Sequence, residues 1–155
     1  MNQRLQSGFT AIEILVVIAI GVLIATTFIG SLSNFLTAQV VRNTTEDVLG
    51  LIQEARTRTI ASENSSQYGV HFQSDKAVLF VGSAYTAGVS TNKEIVFDTR
   101  AYVSAISLQG GGSDLLFNRL TGDSGTYGTI TIRLVSSTDG QKTITISQTG
   151  VSSSS

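Results

Sequence analysis

Cysteine and proline are absent from the 155-residue sequence, and histidine occurs once, at His71. Without cysteine the chain can form no disulfide and offers no thiolate, and a single histidine excludes the common zinc sites. Without proline, the turns depend on the 15 glycines and on Asn, Asp and Ser. The formal net charge of −1 does not indicate a nucleic-acid-binding protein. We therefore expect no metal and no cofactor.

Charge is also absent from a long stretch near the start of the chain. No charged residue occurs from Ile14 to Val41, and the apolar part runs from Phe9 to Leu32. At about 1.5 Å per residue, a helix of this length would cross a hydrocarbon core roughly 30 Å thick. The sequence thus predicts a transmembrane helix, with the short leader and its one positive charge, Arg4, on the cytoplasmic side.

The residues before this apolar run differ from those of a secretory signal peptide, whose small cleavage-site residue follows the apolar segment. Here Gly8 precedes it. Cleavage after Gly8 would leave Phe9 as the new terminus, with Glu13 four residues later on the same face of a helix. The alternative is an ordinary signal-anchor helix in which Glu13 has no special role.

Gly8, Phe9, Thr10 and Glu13, followed by the aliphatic run, resemble the type IV prepilin signature. In that family a dedicated membrane peptidase cuts after the glycine and methylates the new terminal amine. The resemblance implies cleavage between Gly8 and Phe9, N-methylation of Phe9, and pairing of Glu13 with the amine of an adjacent subunit during assembly. It also implies a weak point in the helix at Gly30, where many pilins have proline. Close helix packing at this glycine is the alternative.

From Asn34 to about Ser62 the helical pattern continues but becomes amphipathic. Four apolar residues at spacings of seven, four and three would form one face: Val41, Val48, Ile52 and Ala55. The sequence therefore predicts one long helix whose second half packs against another element.

After Ser62 the period of the pattern changes to two, which predicts strands. The predicted strands are Gln67–Gln73, Ala77–Val81, Glu94–Asp98, Tyr102–Leu108, Asp114–Asn118, Thr129–Leu134 and Lys142–Ser147. Ser137 to Gly140 has the Asp-Gly step of a hairpin turn, and the polar segment Val151–Ser155 is expected to fray. His71 falls on the polar face of its strand and is expected to be solvated.

This half of the chain is similar to the globular domain of GspH/FimT-type minor pilins and pseudopilins. The matching residues are Leu116, Phe117, Gly122, Gly128, Ile130, Ile132, Gly140, Ile144, Ile146 and Gly150. The similarity implies an α+β fold with a long N-terminal helix, transmembrane in its first half and amphipathic in its second, packed on an antiparallel, sandwich-like β-sheet domain. The expected segments are a leader (1–8), a transmembrane or filament-core helix (9–33), an amphipathic helix (34–62) and a β-rich globular domain (63–155).

No arrangement of residues typical of catalysis occurs, and we expect a non-enzymatic protein. Asp123 and Ser124, between Gly122 and Gly125, could bind calcium, although a plain turn is the simpler interpretation. The resemblance implies a structural subunit of a type IV pilus-like filament or type II secretion pseudopilus, of the minor type.

The alternatives are the major pilin of its system, or a module displayed by the filament for DNA uptake or adhesion. The implied partners are other pilin or pseudopilin subunits, prepilin peptidase and the inner-membrane assembly platform, and the implied location is a single pass through the inner membrane before assembly into a filament outside the cytoplasm. No nucleic-acid partner is expected, because the segment from Gln148 onward has no charged side chain.

Overall fold

The computed structural model describes residues 8–136 and 140–155, and in residues 27–37 it describes the backbone only. The chain divides into two compact units, Met1–Leu36 and Thr37–Ser155. Helix α1, Ala11–Ile60, supplies residues to both units. The residues of the predicted leader before Gly8, with Arg4, and residues 137–139 of the predicted hairpin turn lie outside the described residues.

Helix α1 begins after Thr10, which caps it. The backbone N–H of Glu13 donates to the Thr10 carbonyl (3.1 Å) and to its hydroxyl (3.3 Å), and the N–H of Ile14 also donates to the carbonyl (3.2 Å). Threonine is favoured here because its side-chain oxygen accepts from an N–H that has no partner within the helix. Glu13 lies in the first turn, where a negative charge interacts favourably with the helix dipole.

The predicted transmembrane half of this helix requires correction. Among the residues that the structure describes, no helix is both long enough and apolar enough to cross a membrane. The predictions of a transmembrane helix and of a single-pass inner-membrane location are therefore contradicted.

In the second unit, α1 is amphipathic. Val41, Val48, Ile52 and Ala55, the predicted apolar face, are all buried. Thr45 and Thr59 are also buried, and each hydroxyl donates to the carbonyl four residues earlier, that of Val41 or Ala55, at 2.7 Å. Helix α1 is followed by a 3-10 turn, Glu63–Ser65.

The rest of the second unit forms two four-stranded sheets in which all neighbouring strands are antiparallel. The first, sheet A, has the order β3-β2-β1-β5, and the second, sheet B, has the order β4-β6-β7-β8. The strands are β1 (Tyr68–Phe72), β2 (Lys76–Val81), β3 (Lys93–Val96), β4 (Ala101–Leu108), β5 (Asp114–Leu116), β6 (Gly128–Leu134), β7 (Gln141–Ile146) and β8 (Ser152–Ser154). The strand register shifts in β4 between Val103 and Ala105, where a β-bulge interrupts the pairing with β6.

One apolar core joins α1 to both sheets. Alternation along the strands places their apolar residues inside, because successive side chains point to opposite faces. Within this core the largest fully buried side chains are Tyr68, Phe72, Leu79, Leu115 and Phe117 of sheet A and its flanks, Ile130, Ile132, Ile144 and Ile146 of sheet B, and Leu51 and Ile52 of α1.

The segment expected to fray is instead strand β8. It pairs with β7 in the register Ile144↔Ser154, Thr145↔Ser153 and Ile146↔Ser152. Next to this pairing, Thr143 and Ser155 exchange both backbone hydrogen bonds, at 3.0 and 3.3 Å. A run of serines shows no alternation between apolar and polar residues, so the pattern gave no signal for a strand that is held by backbone bonds.

Candidate interaction site

The most unusual surface of the described residues is formed by Phe9, Thr10 and the first part of α1; we call this segment, residues 9–26, the exposed helix. Its apolar side chains are exposed, from 46 % at Val16 to 80 % at Phe9. The large ones are Phe9, Ile12, Ile14, Leu15, Val16, Val17, Ile18, Ile20, Val22, Leu23 and Ile24. A contiguous apolar surface of this kind marks a site of interaction rather than an ordinary solvated face.

The exposure extends all the way around the helix. Residues 14–18 are five consecutive large apolar residues, each at least 46 % exposed. At 3.6 residues per turn, five consecutive positions pass once around the helix axis. The exposed helix therefore has no polar face, unlike the part of α1 in the second unit, and a single flat partner would leave much of it uncovered.

The residues of the predicted processing and assembly site lie at the start of this helix. Gly8 is exposed, and a Cβ added there would meet no other atom within 4 Å. Phe9 is 80 % exposed, and the Glu13 side chain is exposed and has no cationic partner among the described residues. Gly30, the predicted weak point, lies within α1. Its proposed effect in a filament stays a prediction.

A second group of side chains, on sheet A, was not predicted from the sequence. His71 of β1 and Asp114 of β5 are partners in the strand register, and His71 Nδ1 lies 2.5 Å from Asp114 Oδ1. The ring of Tyr85 stacks on the imidazole at 4.0 Å between centroids and 5° between planes. His71 is thus partly buried and partnered, not solvated. The pairing of β1 with β5 joins distant parts of the chain, and the alternation of residues carries no information about it.

The loop considered for calcium lies beside a cavity of about 300 Å³, lined by Asn118, Asp123, Ser124, Gly125, Gln148 and Thr149. Asp123 is the one carboxylate in this lining. The described residues include no group of three or more His, Asp or Glu side chains that could hold a metal ion. The geometry therefore gives the calcium interpretation no support.

Next to this cavity, Arg56 of α1 forms hydrogen bonds with two segments that are distant in the sequence. Its Nε donates to the carbonyl of Gly122 (3.2 Å), and one terminal nitrogen donates to the carbonyl of Thr149 (3.1 Å). The backbone is close-packed here: a Cβ on Gly150, whose φ is +77°, would lie 2.0 Å from the Gly122 carbonyl oxygen. Arg56 is thus a structural residue that ties two distant turns to the helix.

The cations of the second unit are dispersed and largely engaged within the fold. Arg58 pairs with Glu54 at 2.7 Å, Lys76 with Glu94 at 3.0 Å, and Arg100 with Asp98 at 2.8 Å. The hydrogen bonds from Arg100 lower the pKa of Asp98 to about 2. Phosphate binding needs clustered Lys and Arg free to contact the ligand. These pairings do not favour the DNA-uptake alternative.

Comparisons of the chain with protein-family models, with curated proteins and with solved structures find no match. The resemblance to prepilins and to GspH/FimT-type subunits therefore depends on the matching residues alone.

Proposed function

We propose that the chain is a structural subunit of a type IV pilus-like filament or of a type II secretion pseudopilus, of the minor GspH/FimT type. Prepilin peptidase cleaves it between Gly8 and Phe9, and the exposed helix packs against the same helix of other subunits. The observation that supports this proposal is the exposure of large apolar side chains on every side of residues 14–18.

The hydrophobic effect gives this surface a strong tendency to associate. Full burial of one Val, Leu, Ile or Phe side chain contributes about 1.5–3 kcal/mol. The exposed helix carries eleven such side chains, and its lack of a polar face suits a position inside a bundle of like helices. The second unit has its own apolar core, so its folding does not depend on that bundle.

Glu13 gives the bundle a means of setting its register. A carboxylate that loses water inside a bundle needs a cation, because burying it unpaired is costly. After cleavage, the nearest candidate is the terminal amine of Phe9, four residues away on the same helix or on a neighbouring one. The prediction that Glu13 pairs with the amine of an adjacent subunit is retained in the proposal.

Intact-mass and N-terminal analysis of the protein isolated from its producing cells tests the processing step. We expect a chain that begins at N-methyl-Phe9 and lacks residues 1–8. A chain in assembled filaments that still begins at Met1 would overturn the proposal.

The assembly step is tested by Glu13→Ala. We expect the variant to be processed and its second unit to unfold at the same denaturant concentration as wild type, while its incorporation into filaments falls strongly. The matched control is Glu46→Ala, another exposed α1 carboxylate that has no ion pair among the described residues. Incorporation of Glu13→Ala at the control level would show that the carboxylate is dispensable.

A further inference from the structure

The two sheets of the second unit differ in how their outer strands are protected. Natural sheets commonly block pairing with other chains by placing charged residues or proline on edge strands. The edge strand β3 of sheet A follows this rule with Lys93 and Glu94. Both edge strands of sheet B, β4 (AYVSAISL) and β8 (SSS), have neither charge nor proline.

The outer edge of β4 has an open stretch between two occupied ends. At one end the N–H of Val103 donates to the carbonyl of Ser74 (2.9 Å), and at the other the carbonyl of Leu108 accepts from Gly111 (3.0 Å). Between them, the outward backbone groups of residues 104–107 have no partner in the part of the chain that the structure describes. The β-bulge after Val103 limits this open stretch to about the length of a short strand.

A groove lies beside the open stretch. Its volume is about 500 Å³, and its walls include Val103–Ile106 on one side and His71, Gln73 and Ser113 on the other. The carboxylate of Asp114 fixes the position of the His71 imidazole. A strand added to β4 would therefore place its side chains beside hydroxyl, amide and imidazole groups, which suit small hydroxyl side chains as hydrogen-bond partners.

The outer edge of β8 has matching open groups. Thr143 of β7 and Ser155 exchange two backbone hydrogen bonds. Inward and outward groups alternate along an antiparallel strand, so the backbone groups of Ser152 and Ser154 point away from β7. Within the described residues these groups have no partner, and the serine side chains add no bulk that would block a neighbouring strand.

We propose that β8 of one copy of this chain pairs with the open stretch of β4 of a second copy and continues sheet B from one subunit to the next. In the order β4-β6-β7-β8 each strand is antiparallel to the next, so β4 and β8 run in opposite directions. Placing them side by side keeps the antiparallel pattern. A contact between two different surfaces leaves a free β4 at one end and a free β8 at the other, so it can repeat without closing.

The absence of native cysteine makes this contact testable by disulfide formation in the full-length chain. Ala105 and Ser107 on β4 and Ser153 on β8 are exposed. Purified Ala105→Cys or Ser107→Cys is mixed with Ser153→Cys under mild oxidation. We expect mixed disulfide dimers with at least one of the two β4 variants, since opposed strand residues lie within disulfide range. The matched control, Glu94→Cys with Ser153→Cys, places the thiol on the charged edge of sheet A and should give only background dimer.

Two outcomes would overturn the proposal. One is an equal yield from the Glu94→Cys control, which would indicate contact through the exposed helix alone. The other is that only β4–β4 homodimers form. Adding Ser154→Pro to the β8 partner is an independent check, because it removes only an outward N–H and should abolish the mixed dimer while leaving the unfolding transition in place. Persistence of the dimer in a folded Ser154→Pro variant would exclude strand pairing.

Discussion

Isoleucine has opposite environments in the two units of this chain. In the first unit Ile12 and Ile18 are 67 % and 61 % exposed, whereas in the second unit Ile52 and Ile130 are completely buried. Ile18 and Ile52 belong to the same helix, α1. The difference lies in the neighbours: sheets rich in alternating apolar residues accompany the second half of the helix. An apolar side chain thus favours burial in either unit. Whether it is buried within its own chain depends on which other elements of the chain pack against it.

The largest expected effect comes from placing a charge at the two kinds of isoleucine. Ile52→Asp buries an unpaired carboxylate and should destabilise the second unit by roughly 3 kcal/mol or more. Ile18→Asp should leave the unfolding of that unit unchanged. Circular dichroism followed against denaturant measures both. A neutral Ile52→Asp would mean that the buried face of α1 is not part of the core.

Replacing glycine with alanine should have opposite effects on stability in the two units, and both effects should be smaller than that of Ile52→Asp. Gly150 has a φ of +77°, and a Cβ added there would meet Arg56 and the Gly122 carbonyl. A Cβ added at Gly21 of α1 would meet nothing within 4 Å. Gly150→Ala should cost at least about 1–2 kcal/mol from backbone conformation alone. Gly21→Ala should instead favour the helix by about 0.8–1 kcal/mol.

Denaturant unfolding measures the cost at Gly150, and helical content measures the gain at Gly21. Gly125→Ala, another open position, is the control for the turn region. If Gly150→Ala is as well tolerated as this control, the close approach of the two backbones is not essential to the fold.

The smallest expected effect on stability comes from surface ion pairs. The exposed helix has one charged residue, Glu13, whereas the second unit has several ion pairs. Hydrogen bonding to Lys93, with a further contribution from Arg58, lowers the pKa of Glu54. A lowered pKa means that the stabilisation exists at neutral pH and is lost as the pH falls through the pKa of the folded state. Glu54→Gln should therefore cost about 0.2–1 kcal/mol at pH 7 and progressively less in acid.

Chemical denaturation of wild type and variant between pH 7 and pH 3 tests this prediction. Glu46→Gln, which removes an α1 carboxylate that has no ion pair in the described residues, is the control at pH 7 for the loss of one negative charge from this helix. A gap between Glu54→Gln and wild type that stayed constant with pH would contradict the role of this ion pair.

The sequence predicts the local features of the second unit well, because they follow from periodicity. The apolar face at Val41, Val48, Ile52 and Ala55 is buried as predicted, and strands β1–β7 lie within a few residues of their predicted bounds. The order of strands in the two sheets could not be obtained in this way, since β1 pairs with β5 and β4 with β6 across intervening elements. The same limit applies to His71, whose partner Asp114 is reached only through that pairing.

Two predictions failed for different physical reasons. The transmembrane helix was inferred from the length of the uncharged run, and no helix of the described residues is both long enough and apolar enough for that role. Strand β8 was missed because its serines give no hydrophobic signal, although its backbone completes sheet B. The candidate site at Gly8, Phe9 and Glu13 rests on spacing and residue type, and chemical analysis of the mature terminus is what tests it.

The two hydrogen bonds of Arg56 also constrain when the second unit can be completed during synthesis. The arginine is separated by 66 residues from Gly122 and by 93 residues from Thr149. Helix α1 leaves the ribosome early, but the Gly122 carbonyl emerges only after strands β1–β5, and the Thr149 carbonyl only after β7. Until then the last turns of α1 lack the two hydrogen bonds of Arg56, and the apolar face of α1 lacks its contacts with the later strands of sheet B. A ribosome-bound chain that has not yet exposed Thr149 therefore holds an unfinished domain, whose completion coincides with the emergence of β8.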